Sequence, residues 1–530
     1  MNDILKKHTA LRIMTISLGA GIMALNVGVA FVIGQIIDSI GKGDLQKLSM
    51  IGLYSLMLMA AYFICGSLYS ACSSKYEYMC MTNSKERVLQ HLMKNPIYRF
   101  QERDVSYYFN LLTKDMDQIL DHFFIISYDT PVYTLGLIIS LGALLWIDYR
   151  MAILFILVMA LVMVVPRFFI GAQTKAAEGF SSRYEEFLKE LETTLAGFES
   201  VKLLNIANSI TNKLLGKDRE MEEARRNMSV VNGISTYGIT SASFFSQVGC
   251  MFIGAVFAIK GQITTGQLLM AVQLLNFVFP PIQTIARNNN LLTANKVLRD
   301  KVSELLAQDE IHGEDYSPGD IMLKDFGIQI GAKQILNDLN FVFKPGKSYA
   351  VIGSSGSGKS TMAKSLAGYY SEYTGSLTYG ETEQRDLHPD ELSKYVRYIG
   401  ANTFVLNDTI KENIRMYRDI PEKQIIEVAR LVGFDAAFID KESLGHSGKY
   451  ISSGEYQRVA IARALVDHPF VLILDEPTAN LDPVNAKSIQ KLIRELQVPI
   501  KIVITHDHNR EFLDTFDQVI DLTHKSIGDV

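Results

Sequence analysis

Six long apolar runs fill the first 300 residues of the chain and limit what this part can fold into. A helix that crosses a bilayer needs about 20 mostly apolar residues, and each run is at least that long. The runs occupy residues 12–37, 48–73, 123–147, 151–172, 232–259 and 265–287. We therefore predict an all-α transmembrane domain with six spanning helices.

The connections between these runs alternate in length and charge. Residues 74–122 and 173–231 form two long polar connections with many Lys and Arg, whereas the three short connections hold few. Cytoplasmic segments of membrane proteins carry an excess of positive charge, so we expect the long connections and both termini in the cytoplasm. Since 173–230 lacks proline and is rich in Glu, Lys, Leu and Ala, spans two to five should continue beyond the bilayer as helices; two inserted cytoplasmic domains are the alternative.

The remaining composition excludes several other functions. A net charge of −5 leaves no basic surface for nucleic acid, and we expect no nucleic-acid partner. The four cysteines have no C-x-x-C spacing, which predicts reduced structural thiols rather than a metal or redox site. No charged residue lies in the middle of a predicted span, so nothing indicates a proton or ion path. The few polar residues in the spans are expected to form hydrogen bonds between helices.

A complete phosphate-binding motif lies in the second half of the chain. Residues 348–352 predict a buried strand, a helix is predicted to start near residue 360, and the G-x-x-x-x-G-K-S pattern joins them. Its residues are Gly353, Ser354, Ser355, Gly356, Ser357, Gly358, Lys359 and Ser360. Backbone amides of such a loop close around phosphate oxygens, and the helix N-terminus adds favourable potential. We expect these residues and Thr361 to bind ATP, Lys359 to reach the β- and γ-phosphates, and the Ser360 hydroxyl to ligate Mg²⁺.

Two carboxylates and a histidine follow later buried strands. The apolar run at 471–474 ends in Asp475, which we expect to hold Mg²⁺ through water, and Glu476, which is placed to polarise the attacking water. A third strand at 501–505 ends at His506, a candidate for a γ-phosphate contact because α/β sheets bind ligands at this edge. These residues predict an α/β P-loop ATPase domain with Glu476 and His506 as catalytic groups.

Together these motifs resemble the ATP-binding-cassette transporters, and specifically bacterial half-transporters of the exporter fold. The P-loop at 353–360, the signature-like Ile451-Ser452-Ser453-Gly454-Glu455, the strand and carboxylates at 471–476, the segment 479–482 and His506 carry the resemblance. It implies a multidomain membrane protein with a transmembrane domain at 1–305, a linker at 306–320 and a nucleotide-binding domain at 321–530. It also implies a multi-pass protein of the bacterial plasma membrane, with the nucleotide-binding domain in the cytoplasm.

The resemblance further implies a working cycle. Two nucleotide-binding domains would face each other head to tail, each ATP lying between the P-loop of one and the signature, Ser452, Ser453, Gly454 and Glu455, of the other. The chain would then act as a dimer with a second half-transporter, either identical or different. ATP binding and hydrolysis would drive alternating access and export a small amphipathic substrate such as a peptide, drug or lipid-like molecule. Import of a metal chelate, and nucleotide-gated regulation with incidental hydrolysis, are the alternatives.

The signature and the D-loop depart from the family's pattern. The family's LSGGQ reads ISSGE, so that Ser453 replaces a glycine and Glu455 replaces a glutamine, which adds negative charge near phosphate. In the segment that matches the family's D-loop, Asn480 replaces the usual serine, and we expect little effect. If the partner is a different chain, these departures imply two unequal ATP sites.

The positions that would contact adenine and Mg²⁺ also depart from the pattern. Ile330 occupies the place of the aromatic residue that stacks on adenine, and Phe326 is an alternative aromatic. Ala401 stands where the family's Q-loop has a glutamine, with Asn402 next to it. These changes put the affinity for the base and the coupling to the membrane domain in question.

Overall fold

The fold is known from a computed structural model of the chain, which describes residues 2–162, 164–307, 319–331, 333–400, 404–439, 451–479, 481–523 and 526–529. It contains two compact units. The first comprises Met1–Val88 and Asn110–Leu306, and the second comprises Leu89–Phe109 and Ala307–Val530. Ala401, Asn402 and Asn480, and most of the predicted linker, lie outside the described residues.

The N-terminal 306 residues are helical. The helices are α1 (Asn2–Lys7), α2 (Thr9–Lys42), α3 (Leu45–Lys94), α4 (Ile97–Gln101), α5 (Val105–Asn110), α6 (Met116–Ile119), α7 (Ile126–Ile147), α8 (Tyr149–Val162), α9 (Arg167–Ala196), α10 (Phe198–Leu203), α11 (Ala207–Ile259), α12 (Thr265–Leu275), α13 (Phe279–Ala294) and α14 (Lys296–Leu306). Two π-helical turns, Leu111–Asp115 and Leu120–Ile125, lie on either side of α6.

Among the described residues, five helical stretches are long and apolar enough to cross a membrane. They are Thr9–Lys42, Leu45–Lys94, Val105–Ile147, Ala207–Ile259 and Thr265–Ala294. The predicted fourth span, 151–172, is divided between α8 and α9, and Pro166 caps the start of α9. A proline cannot donate the backbone hydrogen bond that would continue a helix through it. The helical membrane domain is therefore confirmed, and the count of six spans stays a prediction.

Two helices are much longer than a bilayer span requires, namely α3 with 50 residues and α11 with 53. At about 1.5 Å per residue they measure roughly 75 and 80 Å, more than twice the hydrocarbon thickness of a bilayer. In both helices the residues of a long polar connection continue the apolar run as helix, and the cytoplasmic location of these connections stays a prediction. The chain reverses direction between α9 and α11 at the short helix α10.

Polar side chains join helices of the first unit near the ends of those helices. The Asp38 carboxylate at the end of α2 accepts hydrogen bonds from the Thr264 hydroxyl and the Gly266 amide, both at 2.8 Å. Near the other end of the bundle, the Asn288 amide of α13 donates to Asp129 of α7 at 3.1 Å. Asp38 and Asn288 lie just outside the predicted spans, whereas Gln273 and Asn276 inside the sixth bond each other at 3.2 Å, and the expectation that polar residues of the spans connect helices stays a prediction.

The C-terminal unit is an α/β domain with two sheets. Its strands are β1 (Ile321–Ile330), β2 (Lys333–Phe343), β3 (Lys347–Ile352), β4 (Thr374–Tyr379), β5 (Thr382–Glu383), β6 (Val396–Ile399), β7 (Val471–Asp475), β8 (Ile500–Ile504), β9 (Gln518–Asp521) and β10 (Ser526–Asp529). Its helices after α14 are α15 (Lys359–Leu366), α16 (Pro389–Tyr395), α17 (Ile410–Arg415), α18 (Glu422–Leu431), α19 (Ala436–Ile439), α20 (Ser453–Leu465), α21 (Pro483–Glu495) and α22 (Arg510–Leu513). A 3-10 turn covers Gln384–Asp386.

The larger sheet determines where the site forms. Its strand order is β10-β9-β3-β8-β7-β6, and β3, β6, β7, β8 and β9 run parallel. The apolar runs of β7 and β8 are buried along their whole length, as expected for central strands covered on both faces. Because the carboxyl ends of parallel strands meet at one edge, the loops after β3, β7 and β8 converge there. The smaller sheet is antiparallel, in the order β2-β1-β4-β5.

Part of the chain that precedes the third span packs within this second unit. The start of α4 and the residues before it, Asn95 to Tyr98, line a cavity of about 310 Å³ with side chains that follow α15 and with α16. Tyr370, Gln384 and Leu392 are among the residues on the other wall.

Candidate nucleotide-binding site

The P-loop connects β3 to α15 and requires glycine at its last turn. Gly358 caps the N-terminus of α15 with φ +91°, in the left-handed region that L side chains rarely adopt. A Cβ at this position would lie 2.6 Å from Cδ2 of Leu336. Both backbone conformation and packing therefore exclude larger residues here, which keeps the amides at the start of α15 accessible.

Lys359 folds back over this loop. Only 4% of the residue is exposed, and its ammonium donates to the carbonyl oxygens of Gly353 at 2.9 Å and Ser354 at 3.0 Å. A buried ammonium is stable only when its protons have acceptors, and here the loop carbonyls supply them. The cation is thus held inside the turn of the loop, where a phosphate oxygen could replace a carbonyl as its partner.

The serines of the P-loop differ in exposure and in hydrogen bonding. The Ser354 amide donates to the Thr523 hydroxyl at 2.8 Å, which fastens the loop to the segment after β9. Ser355 and Gly356 are exposed, and Thr361 is half-buried on α15. The buried hydroxyl oxygen of Ser357 has no hydrogen-bond partner among the described residues. A buried polar atom in that state is costly, and a bound phosphate would satisfy it.

Asp475 ends β7 beside the P-loop helix. It is 6% exposed, and its two carboxylate oxygens accept hydrogen bonds from different hydroxyls. The Ser360 hydroxyl donates to Oδ1 at 3.1 Å, and the Tyr398 hydroxyl donates to Oδ2 at 2.8 Å. Burial, reinforced by the charge of Asp475, raises the pKa of Tyr398, so that the phenol keeps its proton. Ser360 and Asp475 are both expected as Mg²⁺ ligands from the sequence, whereas no motif in the sequence points to Tyr398.

The Ser360–Asp475 pair fits the metal that the motifs imply. A hydroxyl oxygen and a carboxylate oxygen next to each other are hard oxygen donors, which Mg²⁺ prefers to nitrogen or sulfur. Mg²⁺ also keeps several water ligands, so that few protein ligands are needed.

Glu476 and His506 meet at the same edge of the sheet. His506 Nε2 lies 2.9 Å from Glu476 Oε1, because β7 and β8 are neighbours in register. Glu476 has φ +54°, a left-handed conformation that costs a non-glycine residue about 1–3 kcal/mol. Its amide donates to the Ile504 carbonyl oxygen at 3.0 Å, which contributes to holding that conformation. The strained turn directs Glu476 toward His506.

The signature-like segment begins α20. Ser452 is the N-cap, and Glu455 completes a capping box in which the Glu455 amide donates to the Ser452 hydroxyl. The Glu455 carboxylate oxygen Oε2 in turn lies 2.7 Å from the Ser452 amide nitrogen and 2.8 Å from its hydroxyl oxygen. Gly454 is buried, and a Cβ there would lie 3.1 Å from Asn485 of α21. The extra carboxylate of ISSGE therefore turns back toward its own helix start.

Two residues, Phe326 and Ile330, are candidates for the contact with adenine, and the structure places them differently. Phe326 is 0% exposed and its ring packs on Tyr373 with 5.2 Å between centroids, so the expectation that it is an alternative stacking residue is wrong. Ile330 ends β1 and is 45% exposed. Its place beside adenine stays a prediction, and nothing is described for Ala401 and Asn402.

Comparison with known proteins identifies two matching regions. Residues 13–282 match the ABC transporter transmembrane region, and residues 336–479 match the ABC transporter family. A probable ABC transporter ATP-binding/permease protein of Haemophilus influenzae is 24% identical over 82% of this chain and 81% of its own. The ATP-dependent lipid A-core flippase of Aliivibrio fischeri is 22% identical over 91% and 85%. The lactococcin-G-processing and transport ATP-binding protein LagD of Lactococcus lactis is 27% identical over 70% and 56%.

The fold is also similar to a solved structure. A bacterial Atm1-family ABC exporter with ATP bound superposes with a TM-score of 0.80 at 18% sequence identity, covering 100% of this chain and 95% of the other. The exporter fold predicted from the sequence is thereby confirmed. The transmembrane family matches about half of the chain and the ATP-binding family follows it in the same polypeptide, and the chain therefore belongs to the ABC transporters, as an ATP-hydrolysing half-transporter with both regions fused.

Proposed function

We propose that this transporter exports an amphipathic molecule, such as a peptide, a drug or a lipid-like compound, by alternating access. The observation that carries its ATP-driven part is the meeting of two residue pairs at one sheet edge, Ser360 with Asp475 and Glu476 with His506. Beside the P-loop, these pairs offer oxygen ligands for Mg²⁺ and a carboxylate base. Such a site supports in-line transfer of a phosphoryl group to water.

The P-loop residues from Gly353 to Thr361 bind the ATP phosphates in this proposal. Lys359 exchanges a loop carbonyl for a β- or γ-phosphate oxygen, and the hydroxyl of Ser357 gains an acceptor. Ser360 and Asp475 hold Mg²⁺, which when bound neutralises part of the phosphate charge. The donors of this chain contact the γ-phosphate from one side, and the signature of the partner would contact it from the other.

Glu476 and His506 act on the attacking water and the γ-phosphate. Glu476 would accept a hydrogen bond from the water and polarise it, while His506, 2.9 Å from that carboxylate, would hold it in place and contact the γ-phosphate. The left-handed turn at Glu476 keeps the carboxylate in this direction before nucleotide arrives. The pair is thus preorganised for hydrolysis.

Half-transporters work as dimers, and two surfaces of this chain support a partner. Ser452 to Glu455 would complete the ATP site of the partner, and the partner's signature would complete this one. The turn around α10 exposes apolar side chains that a second chain can cover. They are Leu195, Phe198, Leu203 and Leu204. Whether the partner is identical or different decides whether the two sites are alike.

The cargo is inferred from the relatives and from the spans. One relative is a lipid A-core flippase and another transports lactococcin G, which favours a lipid-like or bacteriocin-like substrate for this chain. The middle of each predicted span lacks charged residues, which suits cargo with a large apolar part. The long polar connections, both termini and the nucleotide-binding domain lie on the cytoplasmic side in this proposal, as the positive-inside rule indicates.

Transport in reconstituted vesicles tests the function and its direction. The purified chain is placed in proteoliposomes with a fluorescent lipid or a labelled amphipathic peptide, and ATP is added outside. Only molecules with the nucleotide-binding domain outside are energised, so an exporter accumulates probe inside or moves the labelled lipid to the inner leaflet. Glu476→Gln protein is the matched control.

Two outcomes would contradict the proposal. ATP-driven loss of preloaded probe from these vesicles would show import, and ATP hydrolysis without movement of either probe would favour a regulatory role. If the purified chain alone hydrolyses no ATP, the experiment is repeated with a second half-transporter from the same organism, which separates a heterodimer from an inactive protein.

A further inference from the structure

Tyr398 holds one oxygen of the carboxylate that faces the P-loop. Strand β6 pairs with β7 in parallel register, with Tyr398 opposite Ile473 and Ile399 opposite Leu474. From the next strand, the Tyr398 hydroxyl reaches forward to Asp475 Oδ2 at 2.8 Å. This contact is formed by the sheet itself and not by a loop.

The two carboxylate oxygens of Asp475 accept hydrogen bonds from two different residues, and only one of these is a proposed Mg²⁺ ligand. Oδ1 accepts from Ser360, a P-loop hydroxyl that is itself a proposed Mg²⁺ ligand. Oδ2 accepts from Tyr398, which lies on a strand outside the phosphate-binding motifs. Ser360 can serve the metal only by giving up or sharing its bond to Asp475, whereas Tyr398 remains available to orient the carboxylate.

The phenol ring is itself held in place. It packs edge-on against Tyr369, with ring centroids 5.5 Å apart and planes at 64°. Tyr369 follows the end of α15, the helix that begins at the P-loop, and its amide donates to the Lys364 carbonyl oxygen. The position of the hydroxyl is therefore set by both the sheet and the P-loop helix.

We infer that Tyr398 is a positioning residue that orients Asp475 and so determines the Mg²⁺ dependence of nucleotide binding. The inference rests on the proposed use of Ser360 and Asp475 as metal ligands. Groups that orient a ligating carboxylate commonly change metal affinity by about 10–100-fold when removed. In this assignment the Tyr398 hydroxyl bonds Asp475 and not the nucleotide, so its loss should leave metal-free binding intact.

Tyr398→Phe in the full chain tests the inference, because it removes only the hydroxyl and keeps the packing on Tyr369. Binding of a fluorescent ATP analogue is measured in EDTA and across a Mg²⁺ titration. We expect the Mg²⁺ concentration for half-maximal enhancement to rise about tenfold, with unchanged affinity in EDTA. Tyr369→Phe is the matched control and should titrate like the wild type. Thermal unfolding of all variants verifies that they fold.

The same substitution is also tested in a variant that lacks the Asp475 carboxylate, and this comparison does not depend on transport. In Asp475→Asn protein, adding Tyr398→Phe should change the Mg²⁺ titration little, since the carboxylate to be oriented is gone. An unchanged titration in the single variant, equal loss of binding in EDTA, or full additivity with Asp475→Asn would overturn the inference. If Tyr398→Phe shifts the Mg²⁺ titration as expected but the wild-type chain moves no probe in the vesicle assay, only the export proposal is contradicted.

Discussion

Nε2 of His506 lies 2.9 Å from Oε1 of Glu476, across two neighbouring parallel strands. The contact joins residues that are far apart in sequence into one group at the edge where the P-loop ends. Glu476 has a left-handed backbone conformation, with φ +54°, and its amide donates to the Ile504 carbonyl oxygen between the same two strands.

Glu476→Gln should therefore stop hydrolysis and spare binding. The amide keeps the size of the side chain and loses its basicity, and general bases contribute about 10²–10⁴-fold to such reactions. We expect phosphate release to fall at least 100-fold, measured beside binding of a fluorescent ATP analogue. Glu495→Gln, an exposed carboxylate on α21, is the control. Unchanged phosphate release in Glu476→Gln would remove this residue from the catalytic step.

Glu455→Gln should raise ATP turnover. The Glu455 carboxylate holds the Ser452 amide and hydroxyl, and it places a negative charge at the helix start that faces the partner's phosphates in the proposed dimer. A repulsion of about 1 kcal/mol corresponds to roughly a fivefold effect on the rate, and glutamine preserves the capping box. Steady-state hydrolysis measures the gain, and an equal melting temperature excludes a change in folding. Lower or equal turnover would mean that the charge does not reach the partner's site.

Ile330→Tyr should strengthen nucleotide binding. Ile330 is 45% exposed at the end of β1, where the resemblance places the adenine-stacking aromatic. Stacking of a base on an aromatic ring contributes about 1–3 kcal/mol, so we expect a Kd for ATP at least fivefold lower. Met322→Tyr, at a 42% exposed position of the same strand, controls for a general effect of a new tyrosine. Equal affinities in the two variants would place adenine elsewhere.

Acid should weaken the second unit partly through Asp517. Burial acts to raise the pKa of Asp517, but hydrogen bonds from the Ser348 amide and hydroxyl, with the Lys347 ammonium, outweigh it and leave that pKa lowered. A carboxyl with a lowered native pKa stabilises the fold above its unfolded pKa, which is about 3.9. This stabilisation is lost as the pH falls below about 4 toward the native pKa.

The check is the melting temperature as a function of pH. Asp517→Asn should melt lower than the wild type at neutral pH, and the two should converge in acid. Asp514→Asn changes an exposed carboxylate of the same segment and should follow the wild type throughout. Parallel curves for Asp517→Asn and the wild type would show that Asp517 is not linked to acid unfolding.

The site residues that directly follow an apolar run in the sequence were predictable. A residue that reaches the site from a neighbouring strand was not. The P-loop, Asp475, Glu476 and His506 each stand directly after an apolar run, so their shared sheet edge follows once the strands are parallel. Tyr398 reaches Asp475 only because β6 adjoins β7, and nothing in the spacing of the chain indicates which strands are neighbours.

Two expectations about elements failed or stayed open for local reasons. Phe326 lies between register shifts in β1, where Phe326, Gly327 and Ile328 are all buried, so alternation does not tell which side chain faces out. The fourth apolar run is long enough to span a membrane, but Pro166 caps a new helix within it. Composition alone does not resolve such a break.

The segment Leu89–Phe109 belongs to the nucleotide-binding unit although it lies between the second and third apolar runs. A fragment that begins after α14 would therefore lack one wall of the cavity that Asn95 to Tyr98 share with Tyr370 and Leu392. The ATPase region expressed by itself would expose this recess, whose remaining lining combines Tyr370, Leu387 and Leu392 with the polar Gln384 and Arg385. A soluble version of this enzyme is better made by grafting residues 89–109 onto it than by shortening the chain at a single point.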